Sequence, residues 1–147
     1  MRPVLVFILA FSCLLTVGCG SGKLKLQGRL LKKGEPYVPA ETETVHLTFF
    51  PDGDQADQGP YQAEVNRKDG TFRVVGLDGK GLPPGKYRAA MQIMKNRKDI
   101  LKGAYGKTGS PFSIDVTDAT KEVTLDLDTP PLQQANSSAR RDRDRMR

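Results

Sequence analysis

Three aspartates close together in the sequence, Asp52, Asp54 and Asp57, have a type and spacing that could bind a metal ion. Calcium prefers clustered oxygen ligands, which such a group can supply. The spacing differs from an EF-hand, because Asp57 is at the sixth position, which requires glycine, and Ala63 is at the twelfth, which requires glutamate. We therefore predict a solvated acidic loop, with calcium binding as the alternative.

The residues needed for catalysis are few in this chain. It has one histidine, His46, and two cysteines, Cys13 and Cys19. A nucleophile requires a second titratable group as its base, and a zinc site requires more nitrogen or sulfur ligands than these. His46 also lies on the polar phase of an alternating segment, which predicts a surface position. The sequence therefore indicates a non-enzymatic protein without a cofactor.

Cys19 follows an apolar N-terminal segment. Arg2 gives this segment a basic start, residues 4–15 are apolar, and the small residue Gly18 precedes the cysteine. The apolar run is shorter than the roughly 20 residues that a membrane-spanning helix requires. This layout is typical of a secretory signal peptide.

Residues 15–19, Leu-Thr-Val-Gly-Cys, resemble the lipobox that signal peptidase II cleaves in bacterial lipoproteins. The resemblance implies a signal peptide at 1–18, a lipid (palmitate-type) anchor on Cys19 and a spacer up to residue 23. It also implies attachment to a membrane of the cell envelope, and Gly20 after the cysteine favours the outer membrane. The alternative is an ordinary signal peptide in which Cys19 is incidental.

Cleavage before Cys19 would leave enough residues for one domain and no internal disulfide, so core packing must stabilise the fold. Basic residues are concentrated near both ends of that mature chain: Lys23, Lys25, Arg29, Lys32 and Lys33, then Arg140, Arg141, Arg143, Arg145 and Arg147. Such ends favour anionic surfaces, including envelope polymers. Export argues against a nucleic-acid partner, although charge alone would permit one.

Alternating apolar and polar residues predict an all-β domain over residues 24–128. Seven strands are expected, at 24–31, 45–50, 61–65, 71–75, 86–95, 112–116 and 123–128. The polar, glycine-containing stretch 96–110 predicts an exposed loop that could hold one helical turn. Residues 129–147 form a predicted disordered basic tail, in which 133–147 have too few apolar residues to fold.

Several segments resemble the carboxypeptidase regulatory-like domain, a transthyretin-like fold. They are Leu-Gln-Gly-Arg-Leu at 26–30, Gly-Glu-Pro at 34–36, Val-His-Leu-Thr-Phe-Phe-Pro at 45–51, Asp-Gly-Thr-Phe at 69–72 and Leu-Pro-Pro-Gly-Lys-Tyr at 82–87. The resemblance implies a single seven-stranded Greek-key β-sandwich of the transthyretin-like or immunoglobulin-like type.

The matching residues have structural roles. Asp69 and Gly70 are expected to form one turn, and Pro84 and Gly85 another. Phe72 and Tyr87 are expected between the sheets. Hydroxyisourate hydrolases, the catalytic relatives of this fold, use more than one histidine, an arginine and a C-terminal motif that the last residues of this chain do not match. The resemblance therefore implies a scaffold.

Three aromatic residues, Phe50, Tyr61 and Tyr105, are the candidates for exposed contact residues. With the loops 52–60 and 96–110 they could contact a partner. We therefore expect a membrane-anchored structural, adhesion or protein- or glycan-binding module, whose partners are the membrane and an envelope protein or anionic polymer. The alternatives are a small-ligand or calcium-binding domain and an accessory subunit of an envelope complex.

Overall fold

Nine β-strands and one 3₁₀ helix are present in the residues that the computed structural model describes, 22–76, 78–120 and 122–132, without the side chains of 54–56. The strands are β1 Leu26–Lys32, β2 Glu35–Pro36, β3 Glu43–Pro51, β4 Tyr61–Val65, β5 Thr71–Val74, β6 Gly85–Lys95, β7 Lys98–Asp99, β8 Ser113–Val116 and β9 Glu122–Asp126, and the 3₁₀ helix is Gly53–Gln58. The all-β prediction is confirmed, and each of the seven predicted strands matches one of these to within two residues. The two-residue strands β2 and β7 were not predicted.

One sheet contains all nine strands. Its central order is β1-β5-β4-β3-β6; β1 also pairs with β2 and β9, and β6 also pairs with β7 and β8. Every pairing is antiparallel except β1 with β9, in which Gln27 aligns with Glu122 and Leu31 with Asp126. The long connection between these two strands makes the parallel pairing possible, because a tight hairpin cannot join parallel strands.

The core lies on one face of this sheet. Leu26, Val74, Ala63, Leu47 and Met91 align directly across five neighbouring strands and belong to the same apolar cluster. Their alignment follows from the period-two alternation, which sends every second side chain of each strand to the same face. The polar residues of the same strands therefore form a continuous outer face, which carries the candidate sites.

The sheet has two ends. At the proximal pole, where the described chain begins, Leu24 N donates to Leu82 O (2.7 Å) and Leu82 N to Leu24 O (2.9 Å). The distal pole is formed by the turns at 33–34, 66–70 and 96–97, because β1, β4 and β6 all end there. The 11 residues of β6 separate the two poles by roughly 33 Å.

The exposed loop predicted at 96–110 is confirmed only in part, because most of its residues are exposed but Tyr105, Gly109 and Ser110 are buried. This stretch runs back along the edge of β6, where Ile100 N donates to Ile93 O (2.8 Å) and Met91 N to Tyr105 O (2.9 Å). Its first residues form β7 in place of a helical turn. The main-chain groups of β6 would otherwise be unpaired at this edge, which explains why a polar stretch packs here.

Candidate functional site

A cleft of about 170 Å³ lies on the outer face of β3 and β6. The register places His46 opposite Gln92 and Thr48 opposite Ala90, all on the side away from the core. The full lining is His46, Thr48, Phe50, Ala90, Gln92, Gly106 and Lys107. The cleft thus combines hydrogen-bonding side chains with an aromatic ring.

Lys107 covers one side of this cleft. Its Nζ lies 5.2 Å from the centre of the Phe50 ring, within the range of a cation–π contact. The backbone that carries Lys107 is attached to β6 two residues earlier, where the carbonyl of Tyr105 accepts the N–H of Met91. Phe50 itself is half-buried. The cleft therefore presents a positive charge above an apolar surface.

The surrounding segment, residues 95–107, is strongly basic, and we call it the basic segment. It contains five cationic side chains, all exposed, at Lys95, Arg97, Lys98, Lys102 and Lys107. Its single acid is Asp99, whose carboxylate accepts the N–H groups of Leu101 (3.0 Å) and Gly103 (2.8 Å). Asp99 is thus directed at the backbone, and its role is to close the turn after β7.

Lys95 is the one cation of the basic segment with a described carboxylate partner, since its Nζ lies 3.5 Å from Glu43 Oε1. Glu43 also accepts the hydroxyl of Tyr37 (2.7 Å) and the N–H of Ala40 (3.3 Å). The Tyr37 hydrogen bond is the main reason that the pKa of Glu43 is below its usual range. Burial in turn raises the pKa of Tyr37, so the phenol stays a neutral donor.

A larger groove, of about 630 Å³, lies on the outer face of β1, β4 and β5. Two ion pairs cross it: Arg29 Nη2 lies 2.8 Å from Glu122 Oε1, and Arg73 Nη2 lies 2.8 Å from Glu64 Oε2. Exposed pairs of this kind contribute about 0–1 kcal/mol to stability. They balance the charge of the groove, so despite its size the groove offers less to a charged ligand than the cleft at Lys107.

The predicted contact aromatics are not equally accessible. Phe50 lies in the cleft, but Tyr61 and Tyr105 are only 8% and 6% exposed, so the prediction that they are exposed is wrong. Tyr61 packs edge-on against Tyr87, with 5.9 Å between ring centres. Tyr105 stacks on Phe112 at 5.8 Å. Both tyrosines therefore belong to the core.

The predicted acidic loop at 52–57 lies at the proximal pole, where it forms most of the 3₁₀ helix Gly53–Gln58 and its N-cap. Asp52 is the N-cap of this helix and accepts the N–H of Gly53 (3.0 Å). Its other oxygen lies 3.4 Å from Arg88 Nη2. Asp57 is exposed, and the side chain of Asp54 lies outside the description. Among the described side chains, no three His, Cys, Asp or Glu residues are grouped so that they could hold a metal ion.

Asp69 and Gly70 lie at the turn between β4 and β5 as predicted, whereas Gly85 is the first residue of β6. Asp69 Oδ1 accepts both the N–H (2.9 Å) and the hydroxyl (2.7 Å) of Thr71 between β4 and β5. Gly70 has φ +69°, and a Cβ there would lie 2.1 Å from Tyr37 O, so a side chain is excluded. Pro84 directly precedes β6, which begins at Gly85.

The predicted lipid anchor Cys19 and the signal peptide at 1–18 lie outside the described residues, and so do residues 133–147. The predicted start of the tail at 129 is too early, because Leu132 N donates to Gly109 O (2.9 Å) and Pro131 is buried. Within the described ranges, no helix has the length and apolar character needed to cross a membrane.

The basic segment overlaps the contact loop predicted at 96–110, although that prediction did not rest on its charge. Its density of lysine and arginine is visible in the sequence, Lys-Asn-Arg-Lys-Asp-Ile-Leu-Lys at 95–102. The position of the basic segment beside His46 and Phe50 is not visible in the sequence, because that position depends on the pairing of 100–105 with β6. The chain matches no protein-family model, and no curated protein matches it significantly.

Proposed function

We propose that this protein is a non-enzymatic lipoprotein of the bacterial cell envelope, anchored through Cys19, whose β-domain acts as a structural, adhesion or protein- or glycan-binding module. The observation that carries this proposal is the position of Leu24. Its paired hydrogen bonds with Leu82 begin the folded domain five residues after the predicted anchor. A tether this short would hold the proximal pole at the membrane and direct the distal pole away from it.

We further propose that the sheet is a Greek-key sandwich of the transthyretin-like type. The consecutive strands β8 and β9 pair with β6 and β1, which are at opposite ends of the central strand order. A connection of five residues, 117–121, can join them only if the sheet folds over on itself. One apolar cluster that includes residues of both β8 and β9 supports the same geometry.

Attachment to the membrane should be durable if Cys19 carries several acyl chains, because each buried methylene contributes about 0.8 kcal/mol to membrane binding. Intact mass spectrometry of the full-length gene product extracted from native membranes tests the anchor. We expect a mass that begins at Cys19 and includes a diacylglycerol or triacyl adduct. Cys19→Ala should lack the adduct and leave the membrane fraction, whereas the control Cys13→Ala should keep both.

An unmodified mass, or a Cys19→Ala protein that still pellets with membranes, would contradict the lipoprotein proposal. The calcium alternative has less support, because Asp52 already accepts the N–H of Gly53 and pairs with Arg88. Calcium titration followed by thermal unfolding tests that alternative. The second alternative is an accessory subunit of an envelope complex. Crosslinking in cells tests it, since such a subunit must have a stable protein partner.

A further inference from the structure

We propose that the basic segment and the cleft at Lys107 together bind a linear envelope polymer, other than a nucleic acid, that carries phosphate or carboxylate groups. This proposal rests on the proposed envelope function, because it names the partner of the module. It is carried by the arrangement of cations on the described surface, and not by the basic ends of the sequence.

The cations of the basic segment are exposed to solvent. Arg29, Arg73 and Arg88 are each paired with a carboxylate on the outer face of the sheet. In the basic segment the nearest acid in sequence, Asp99, accepts backbone N–H groups. The side chains of Lys98 and Lys102 are exposed on either side of it. The charge of this segment is therefore directed at solvent.

The cleft at Lys107 is lined by groups that suit an anion. No acidic side chain is present in its described lining. His46, Thr48, Gln92 and Lys107 supply hydrogen-bond donors to an anionic oxygen there. The Phe50 ring holds the Lys107 ammonium group at 5.2 Å and offers an apolar surface to the backbone of a ligand. A cleft of about 170 Å³ has room for a single charged group or sugar unit of a longer molecule.

The cationic surface is longer than the cleft alone. The cations continue from Lys107 past Lys102 to the turn at Arg97, at the distal pole. A single small anion would contact one end of this path, whereas a linear polyanion could contact all of it. Ile100, which is 43% exposed between Lys98 and Lys102, adds an apolar contact along the same path. The Arg97 end of this path lies at the pole opposite the proposed anchor.

The test uses the full-length chain in detergent and two immobilised probes, polyphosphate and polygalacturonate. The variant Lys98→Glu/Lys102→Glu/Lys107→Glu reverses three charges of the proposed surface. The matched control, Lys25→Glu/Lys80→Glu/Lys86→Glu, reverses three exposed charges elsewhere and changes the net charge equally. We expect the first variant to bind at least one probe roughly tenfold more weakly than the wild type, and the control to retain most binding. Thermal unfolding checks that both variants remain folded.

Raising the salt concentration from about 0.05 M to about 0.5 M should weaken the wild-type interaction, because exposed charges are screened. Equal losses in the two variants would show attraction to net charge alone and overturn the proposal. Absence of binding to both probes, or tighter binding to a single-stranded oligonucleotide or to phosphatidylglycerol vesicles, would also overturn it. Polymer binding and the Cys19 adduct are measured separately, so failure of either proposal is distinguishable from failure of the other.

Discussion

The hydroxyl of Tyr105 donates to the main-chain oxygen of Leu127 at 2.7 Å, and this contact joins the segment after β7 to the end of β9. The same hydroxyl lies 2.9 Å from Thr129 O. The main-chain oxygen of Tyr105 accepts Met91 N of β6 at 2.9 Å. One residue therefore connects two parts of the sheet that are not neighbours in the strand order.

Tyr105→Phe should lower the free energy of unfolding by about 1–2 kcal/mol, because the carbonyls of Leu127 and Thr129 lose the one hydroxyl proton that they share. Chemical denaturation measures the change. Tyr61→Phe is the matched control, since the Tyr61 hydroxyl lies a longer 3.4 Å from its partner, Gln58 Oε1. Equal effects of the two substitutions would contradict the bridging role of Tyr105.

Gly28→Ala should destabilise the protein severely, because β1 and β9 approach closely at this point. A Cβ on Gly28 would lie 2.0 Å from Val123 O and 2.6 Å from Phe72 Cζ. The backbone of β9 cannot move without breaking its parallel pairing, so we expect a loss of about 3 kcal/mol or more.

Gly106→Ala is the control for this prediction, since a Cβ there meets only Gly103 O, at 3.2 Å. Thermal and chemical unfolding of both variants provide the comparison. A Gly28→Ala protein as stable as the wild type would show that β9 does not pack against β1 at Gly28.

The seven longer strands were predictable from the sequence because their core residues alternate with polar residues. Phe72 and Tyr87, for example, are at the apolar positions of their strands, and both are buried. Tyr105 offers no such local signal, since no alternation of apolar and polar residues surrounds it and the acceptors of its hydroxyl are more than 20 residues away. The parallel pairing of β9 is likewise set by the packing of the whole domain. For the same reason, composition could reveal the charge of the basic segment but not its contact with Phe50.

Ser110→Ala should lower the free energy of unfolding by about 1–3 kcal/mol, because Ser110 is fully buried and its hydroxyl joins β6 to the residue before β8. The hydroxyl donates to Ala89 O and accepts the N–H of Phe112 at 3.3 Å. Hydrogen exchange should show faster exchange at Phe112 N–H in the variant. Ser113→Ala, at an exposed position of β8, should change neither quantity.

Tyr37→Phe should destabilise the protein in a pH-dependent way, because the Tyr37 hydroxyl is the main cause of the lowered pKa of Glu43. A carboxyl whose pKa is lower in the folded state stabilises that state above its unfolded pKa, about 4.3, and this contribution disappears as the pH falls through the folded pKa. We therefore expect the variant to be about 1 kcal/mol less stable than the wild type at neutral pH.

Below the folded pKa of Glu43 the two proteins should approach equal stability, since the carboxyl is then protonated in both states. Melting temperatures measured from neutral to acidic pH, with Tyr61→Phe as the control, test this expectation. A stability difference that is constant across the range would show that the Tyr37 hydroxyl acts independently of the Glu43 charge. A difference that grows as the pH falls would contradict the lowered pKa itself.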